Sequence, residues 1–261
     1  MRLNDKKIAV LVADEYEDLE LWYPLLRMKE AGAEVTVIAS DNVSGDTCKS
    51  KHGYEIEIDK KAAEVNPSEY DAAIIPGGWA PDKLRRCQNT LDFIKELNAE
   101  NKVIASICHG GWVLASASIV EAKTLTSTPA IKDDLENAGA NWVDEKVVID
   151  DNLITSRNPD DLPAFTKAII TSLSENVCIE CGTEYKEEGE PWYYCVDCNS
   201  LYCPECVVKS DEDKFRRKTT DQQQKKTYEE KKHQKKIEKS SNVEEYKRLI
   251  CPNCDNELRP F

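Results

Sequence analysis

This sequence contains no apolar run approaching the roughly 18 residues that a membrane-spanning helix requires, so no helical membrane span is expected. Met1-Arg-Leu-Asn-Asp-Lys-Lys runs straight into an apolar strand, and a cytoplasmic protein is expected. Positive charge is in deficit: 35 Lys and Arg stand against 49 Asp and Glu, a formal net charge of −14. Through Ser174 there are 30 acidic and 19 basic side chains, and from Glu175 onward 19 and 16, so most of the net charge lies in the first part. A grip on phosphate backbones needs clustered Lys and Arg, so nucleic acid is not the expected partner of that part. The hydrophobic fraction of 40% is slightly low and the charged fraction of 32% slightly high for a fully globular chain. At 261 residues, this predicts two unequal domains, one well cored and one more solvated.

Short apolar runs recur at residues 7–12, 34–38, 72–75 and 103–107, as expected of strands buried on both faces of a parallel sheet. Between them, Leu19, Trp22 and Leu26 share one helical face, with Gly32 as a stop, and Leu162, Phe165, Ile169 and Leu173 form a later stripe. The alternation predicts a doubly wound α/β sandwich over residues 1–174, with helices on both sheet faces. Chemistry in such folds gathers at the carboxyl ends of strands, which selects residues 14–18, 76–81 and 108–111.

Val103-Ile-Ala-Ser-Ile-Cys108-His-Gly-Gly-Trp is a strand, a cysteine, a glycine-rich turn and the start of a helix, the form of a nucleophile elbow. Cys108 is the expected nucleophile, its thiolate favoured by the dipole of the following helix. The competing reading is a buried strand-end cysteine. Ile74-Ile-Pro-Gly-Gly78 supplies a second glycine turn whose N–H groups suit an oxyanion. Trp79 and Trp112 flank the expected pocket, either narrowing it to small substrates or packing at a subunit contact. Cys48 and Cys87 have no partner motif.

The blocks EDLELWYPLLRMKEAG, IIPGGWAPDKLR, ASICHGGWVLASA and IKDDLENAGANWVD together resemble the ThiJ/PfpI family of cysteine hydrolases over roughly residues 6–174. The resemblance implies a flavodoxin-like sandwich, of the kind also seen in class I glutamine amidotransferases, that forms dimers or larger rings. It implies Cys108 as nucleophile, His109 as its neighbour in the elbow, and Glu17 as a carboxyl group beside the thiol. Gly78 and the His109 backbone N–H would form the oxyanion hole. Asp82 stands where PfpI-like proteases carry a glutamate that reaches in from a neighbouring subunit. Members act as proteases, as deglycases of methylglyoxal adducts and as cofactor-independent glyoxalases. Small carbonyl adducts are the preferred expectation over peptides, because tryptophans crowd the site. The other hypothesis is a redox sensor or adaptor that uses the same cysteine without turnover.

The last third changes texture. Cys178-x2-Cys181, Cys195-x2-Cys198, Cys203-x2-Cys206 and Cys251-x2-Cys254 supply eight thiolates, enough for two closed tetrahedral zinc sites. Redox-active Cys-x-x-Cys is the competing account, and four pairs in series disfavour it. The spacing resembles cross-braced ZZ or RING fingers, in which Cys178, Cys181, Cys203 and Cys206 hold one ion and Cys195, Cys198, Cys251 and Cys254 the other; sequential pairing is the alternative. A zinc domain is therefore expected over residues 175–261, with a charged insert at 207–250 and a possible protein partner. Within that insert, residues 214–239 hold 11 basic and 4 acidic side chains, expected as a solvated helix or a mobile insert, with docking of an acidic partner or RNA as the lesser reading.

Overall fold

A computed structural model describes residues 3–174, 192–195, 200–206 and 259–260. The chain divides into two compact units, residues 1–175 and 176–261. The first begins with β1 (Lys7–Val12), α1 (Asp18–Glu30) and β2 (Glu34–Ala39), followed by the hairpin β3 (Thr47–Lys49) and β4 (Glu55–Glu57) and the short β5 (Lys60–Lys61). Next come β6 (Ala72–Ile75), α2 (Ala80–Leu84), α3 (Gln88–Ala99), β7 (Val103–Ile107) and α4 (Gly111–Ser116). β8 (Thr124–Leu125), α5 (Lys132–Asn137), β9 (Asn141–Trp142), β10 (Val147–Asp150), β11 (Leu153–Ser156) and α6 (Leu162–Leu173) complete it.

Seven strands form one sheet in the order β10-β11-β7-β6-β1-β2-β5, and β10 with β11 is its one antiparallel pair. The central strands are apolar throughout because both faces are covered: Ile8, Val10, Ile74, Ile75 and Ile104 are all inaccessible to solvent. The connection β1-α1-β2 moves one way along the sheet and β6-α3-β7 the other, so right-handed crossovers put α1 and α3 on opposite faces. The winding reverses between β1 and β6. A crevice at the carboxyl ends of those strands follows, and all three segments selected from the sequence border it.

Strands 7–12, 72–75 and 103–107 match their sequence expectations, and β2 is one residue longer. The α6 stripe of Leu162, Phe165, Ile169 and Leu173 is buried as its periodicity requires. Helix α1 differs. Leu19 and Leu26 are each 57% exposed, whereas Glu20, Leu21, Pro24, Leu25 and Met28 form the buried face. The helix carries two stripes, and the one that packs contains a glutamate.

In the second unit β12 (Tyr193–Cys195) pairs antiparallel with β13 (Ser200–Tyr202) and β14 (Arg259–Pro260). Trp192, Cys203 and Cys206 form a small buried cluster, and Tyr202 is fully covered. The Cys206 N–H donates to the Cys203 carbonyl at 3.1 Å, a tight turn between two of the expected zinc ligands. Cys195 lies on β12. Cys178, Cys181, Cys198, Cys251, Cys254 and the 207–250 insert lie outside the described residues. No helix among the described residues is long and apolar enough to cross a membrane.

Candidate active site

Two turns meet at the crevice. After β1, the Glu17 N–H donates to the Gly77 carbonyl at 3.2 Å, and the Trp79 N–H donates to the Glu15 carbonyl at 2.9 Å. Gly78 has φ +76°, and a Cβ there would lie 2.5 Å from the Glu15 carbonyl oxygen, so only glycine fits. Gly77 is needed for a different reason. A Cβ on it would sit 2.6 Å from Cys108 Cβ and closer still to Glu20 Oε2, in the gap where those side chains converge.

The third turn follows β7. Cys108 has φ +59°, a left-handed conformation that costs an ordinary residue about 1–2 kcal/mol, held here by the 3-10 turn Cys108–Gly110 and by α4 behind it. The bend presents a half-buried thiol to the crevice. Glu20, in the first turn of α1 and inaccessible to solvent, accepts the Gly77 N–H on Oε2 at 2.9 Å. Its Oε1 is buried without a hydrogen-bond partner among the described residues.

Burial pushes the Glu20 carboxyl up to about 7, against the pull of the Gly77 N–H and the Cys108 thiol. Burial, then the charge of Glu20, pushes the Cys108 thiol up to about 12, while the backbone N–H groups of His109 and Gly78 pull it down. The helix dipole expected to ionise Cys108 therefore does not dominate. α4 is short, and desolvation with a carboxylate neighbour outweighs it. The two groups form a coupled pair whose first proton leaves near neutrality.

His109 lies against the sulfur, its Nδ1 3.2 Å from Cys108 Sγ. Its ring packs between Trp79 and Trp112, with centroids 5.6 and 5.0 Å away. Burial, then the charge of Lys51, lowers its pKa, so the imidazole is neutral at pH 7. Trp112 donates Nε1–H to Asp134 at 2.7 Å and carries the Arg85 guanidinium 5.7 Å from its ring centre. Both tryptophans thus pack on the imidazole.

The DJ-1/PfpI family model matches residues 6–172. This chain belongs to the DJ-1/PfpI family. Among similar proteins are Deglycase PfpI of Pyrococcus furiosus, 40% identical over 167 residues, and Protein/nucleic acid deglycase 2 of Escherichia coli, 42% identical over 170. Each match covers 64% of this chain, and 99% and 98% of the respective relative. A solved two-domain protein of Anabaena variabilis with DJ-1/ThiJ/PfpI-like and ferritin-like domains has a TM-score of 0.64 at 36% identity, covering 80% of this chain and 59% of that one. Drosophila melanogaster DJ-1beta has a TM-score of 0.61 at 30% identity, covering 65% and 90%.

Within this DJ-1/PfpI domain the structure brings Cys108, His109 and Gly78 together, leaves Glu17 apart from the sulfur, and places Asp82, expected to act across a subunit contact, on α2. Glu17 is not the carboxyl group at the thiol: it stands at the N-cap of α1 without a side-chain cap bond, and its Oε2 pairs with Lys51 Nζ at 2.8 Å. Glu20, one helical turn further on, takes the place against the sulfur. Asp82 pairs with Arg86 at 2.6 Å on the outer side of α2. The missed residue had a signal. Glu20-Leu21, Pro24-Leu25 and Met28 repeat at helical spacing, and an acid inside a buried stripe marks a functional carboxyl.

Proposed function

We propose that this protein is a cysteine-dependent hydrolase of small carbonyl adducts, of the deglycase and glyoxalase kind, with Cys108 as nucleophile. The contact between the Cys108 thiol and a buried carboxyl that titrates near 7 carries the proposal. In the reactive form the pair holds one proton. Glu20 takes the thiol proton, sulfur adds to a carbonyl carbon, and the C=O pair moves to oxygen, which recovers that proton from Glu20. Glu20 then moves the carbinol C–H proton of the hemithioacetal to the neighbouring carbon through an enediol, which leaves an α-hydroxy thioester, and water adds to its carbonyl and expels the thiol. In an amine adduct the carbinol O–H proton passes to nitrogen as the C–N bond breaks, which releases the amine and frees the aldehyde on which the thiol acts. The Gly78 and His109 N–H groups, already aimed at the sulfur, hold negative charge through these steps. Neutral His109 orients the thiol. The deglycase names of the relatives support the substrate class. The test is turnover of methylglyoxal, of methylglyoxal-treated arginine and of casein by the wild type and Cys108→Ala. Loss of aldehyde and adduct turnover in the variant is expected, and equal activity in both proteins removes the proposal.

Two further parts belong to this proposal. The C-terminal unit is proposed to bind two structural zinc ions through its eight thiols, supported by the buried Cys203 and Cys206 and the tight turn between them. A homo-oligomer is proposed, supported by the exposed apolar Leu19, Tyr23 and Leu26 on α1, with Asp82 reaching His109 of a second copy.

A further inference from the structure

Lys51 has no role in the thiol chemistry above, yet successive backbone rungs hold it beside that chemistry. Its N–H donates to the Tyr16 carbonyl at 3.0 Å, Tyr16 bridges to Gly78, and the neighbouring Glu17 N–H donates to Gly77, whose missing Cβ would lie 3.1 Å from Cys108 Sγ. The turn that carries Lys51 is tied at many points. Ser50 Oγ accepts from the N–H groups of His52 and Tyr54 at 3.2 and 2.9 Å and donates to Asp18 at 2.5 Å, and His52 Nδ1 lies 2.7 Å from the same carboxylate.

Nearby cations are engaged elsewhere: Lys83 pairs with Glu15, Arg86 with Asp82, and Arg85 stacks on Trp112. Only Lys51 among them has its charge acting on both Glu20 and His109, and Cys108 in turn acts on Lys51. Its side chain is 38% exposed, and its ammonium is held by Glu17, whose side chain is mostly covered. A covered internal carboxylate on a part-exposed ammonium is a counter-ion that an incoming carboxylate can displace.

We propose that Lys51 is the anion-recognition group of the thiol site, receiving a carboxylate carried by the substrate beside its reacting carbonyl, with Glu17 holding the ammonium in place between turnovers. The preferred substrates are then small carbonyl compounds that bear a carboxylate. This rests on the proposed reactivity of Cys108 and on no other part of the proposed function.

Iodoacetate and iodoacetamide form the same C–S bond and expel the same iodide, and they differ by one negative charge, so their rate ratio at Cys108 isolates electrostatic recognition. The rates are read by mass on the Cys108 peptide. The iodoacetate-to-iodoacetamide ratio is expected to fall about tenfold in Lys51→Met and to be kept in Lys51→Arg. In Glu17→Gln it is expected to rise, because Lys51 loses its competitor. The iodoacetamide rate itself is expected to stay within about threefold, and a cooperative urea melt reports that each variant folds. The same ratio in wild type and Lys51→Met overturns the proposal alone. A Cys108 inert to both reagents overturns the thiol chemistry and this proposal with it.

Discussion

Two thiol–carboxyl pairs occur in the same unit, and only one is arranged for chemistry. Cys87, just before α3, donates to Asp41 Oδ2 at 3.2 Å. Burial works to raise Asp41, but bonds from the Ala63 N–H, Asn89 and Cys87 outweigh it and hold the carboxyl below its usual range. Such a carboxylate is a weak base. Glu20 receives one backbone N–H, keeps an unpartnered buried oxygen and is raised to about 7. Cys48 completes the comparison: burial, then Asp14, raises its thiol to about 12 on β3, as far as Cys108, with no backbone donor aimed at it. A raised thiol pKa therefore does not separate an inert cysteine from a nucleophile. A buried neighbouring carboxyl that is itself raised, together with backbone N–H groups aimed at the sulfur, does.

Removing the thiols themselves separates the two pairs most widely. Cys108→Ala is expected to lower kcat/KM for carbonyl adducts by at least about 10³, whereas Cys87→Ala changes it less than about twofold. Glu20→Gln is expected to cost about 10²–10⁴ in kcat/KM by removing the proton acceptor. Asp41→Asn is expected to cost stability of about 1–2 kcal/mol and almost no activity. Equal losses of activity in these two variants would erase the distinction.

Stability against pH divides the two carboxyls by sign. Glu20 has a folded pKa raised from 4.5 to about 7, so its stabilisation is complete below the unfolded value and is lost as pH rises toward the folded one. That loss is expected to reach about 3 kcal/mol by pH 8, read from urea melts at pH 4.5 and 8, and Glu20→Gln is expected to flatten it. Asp41, with its lowered pKa, contributes in the opposite direction: its stabilisation is present above the unfolded value and is lost in acid. The smallest effect at the site is expected from a chelator. Two zinc ions per chain leave by native mass, while kcat/KM changes less than about twofold, because the thiols proposed to bind metal lie in the other unit.

Much of this was legible in the sequence because burial on both faces writes continuous apolar runs: β1, β6 and β7 follow from those runs, and the glycine turns after β6 and β7 mark the crevice. Cys108 and His109 were found because the elbow is a local feature. Glu20 was not, because its importance lies in which face of α1 packs, and the competing stripe of Leu19, Trp22 and Leu26 looked equally apolar while Leu19 and Leu26 remain exposed. The raised thiol was missed for a related reason. A dipole can be inferred from a strand-turn-helix pattern, whereas desolvation by a carboxyl from another element needs tertiary structure. Lys51 reaches the site through the pairing of residues 16 and 50, a non-local bridge that leaves no periodic trace.

The sharing of one proton between Cys108 and Glu20 is tested most directly by the rate of Cys108 alkylation with iodoacetamide across pH 5–10 in wild type and Glu20→Gln. A wild-type rate that climbs with a midpoint near 7, and a variant whose rise is displaced toward the range of an ordinary or buried thiol, is the predicted result. Superimposable profiles for the two proteins would contradict it.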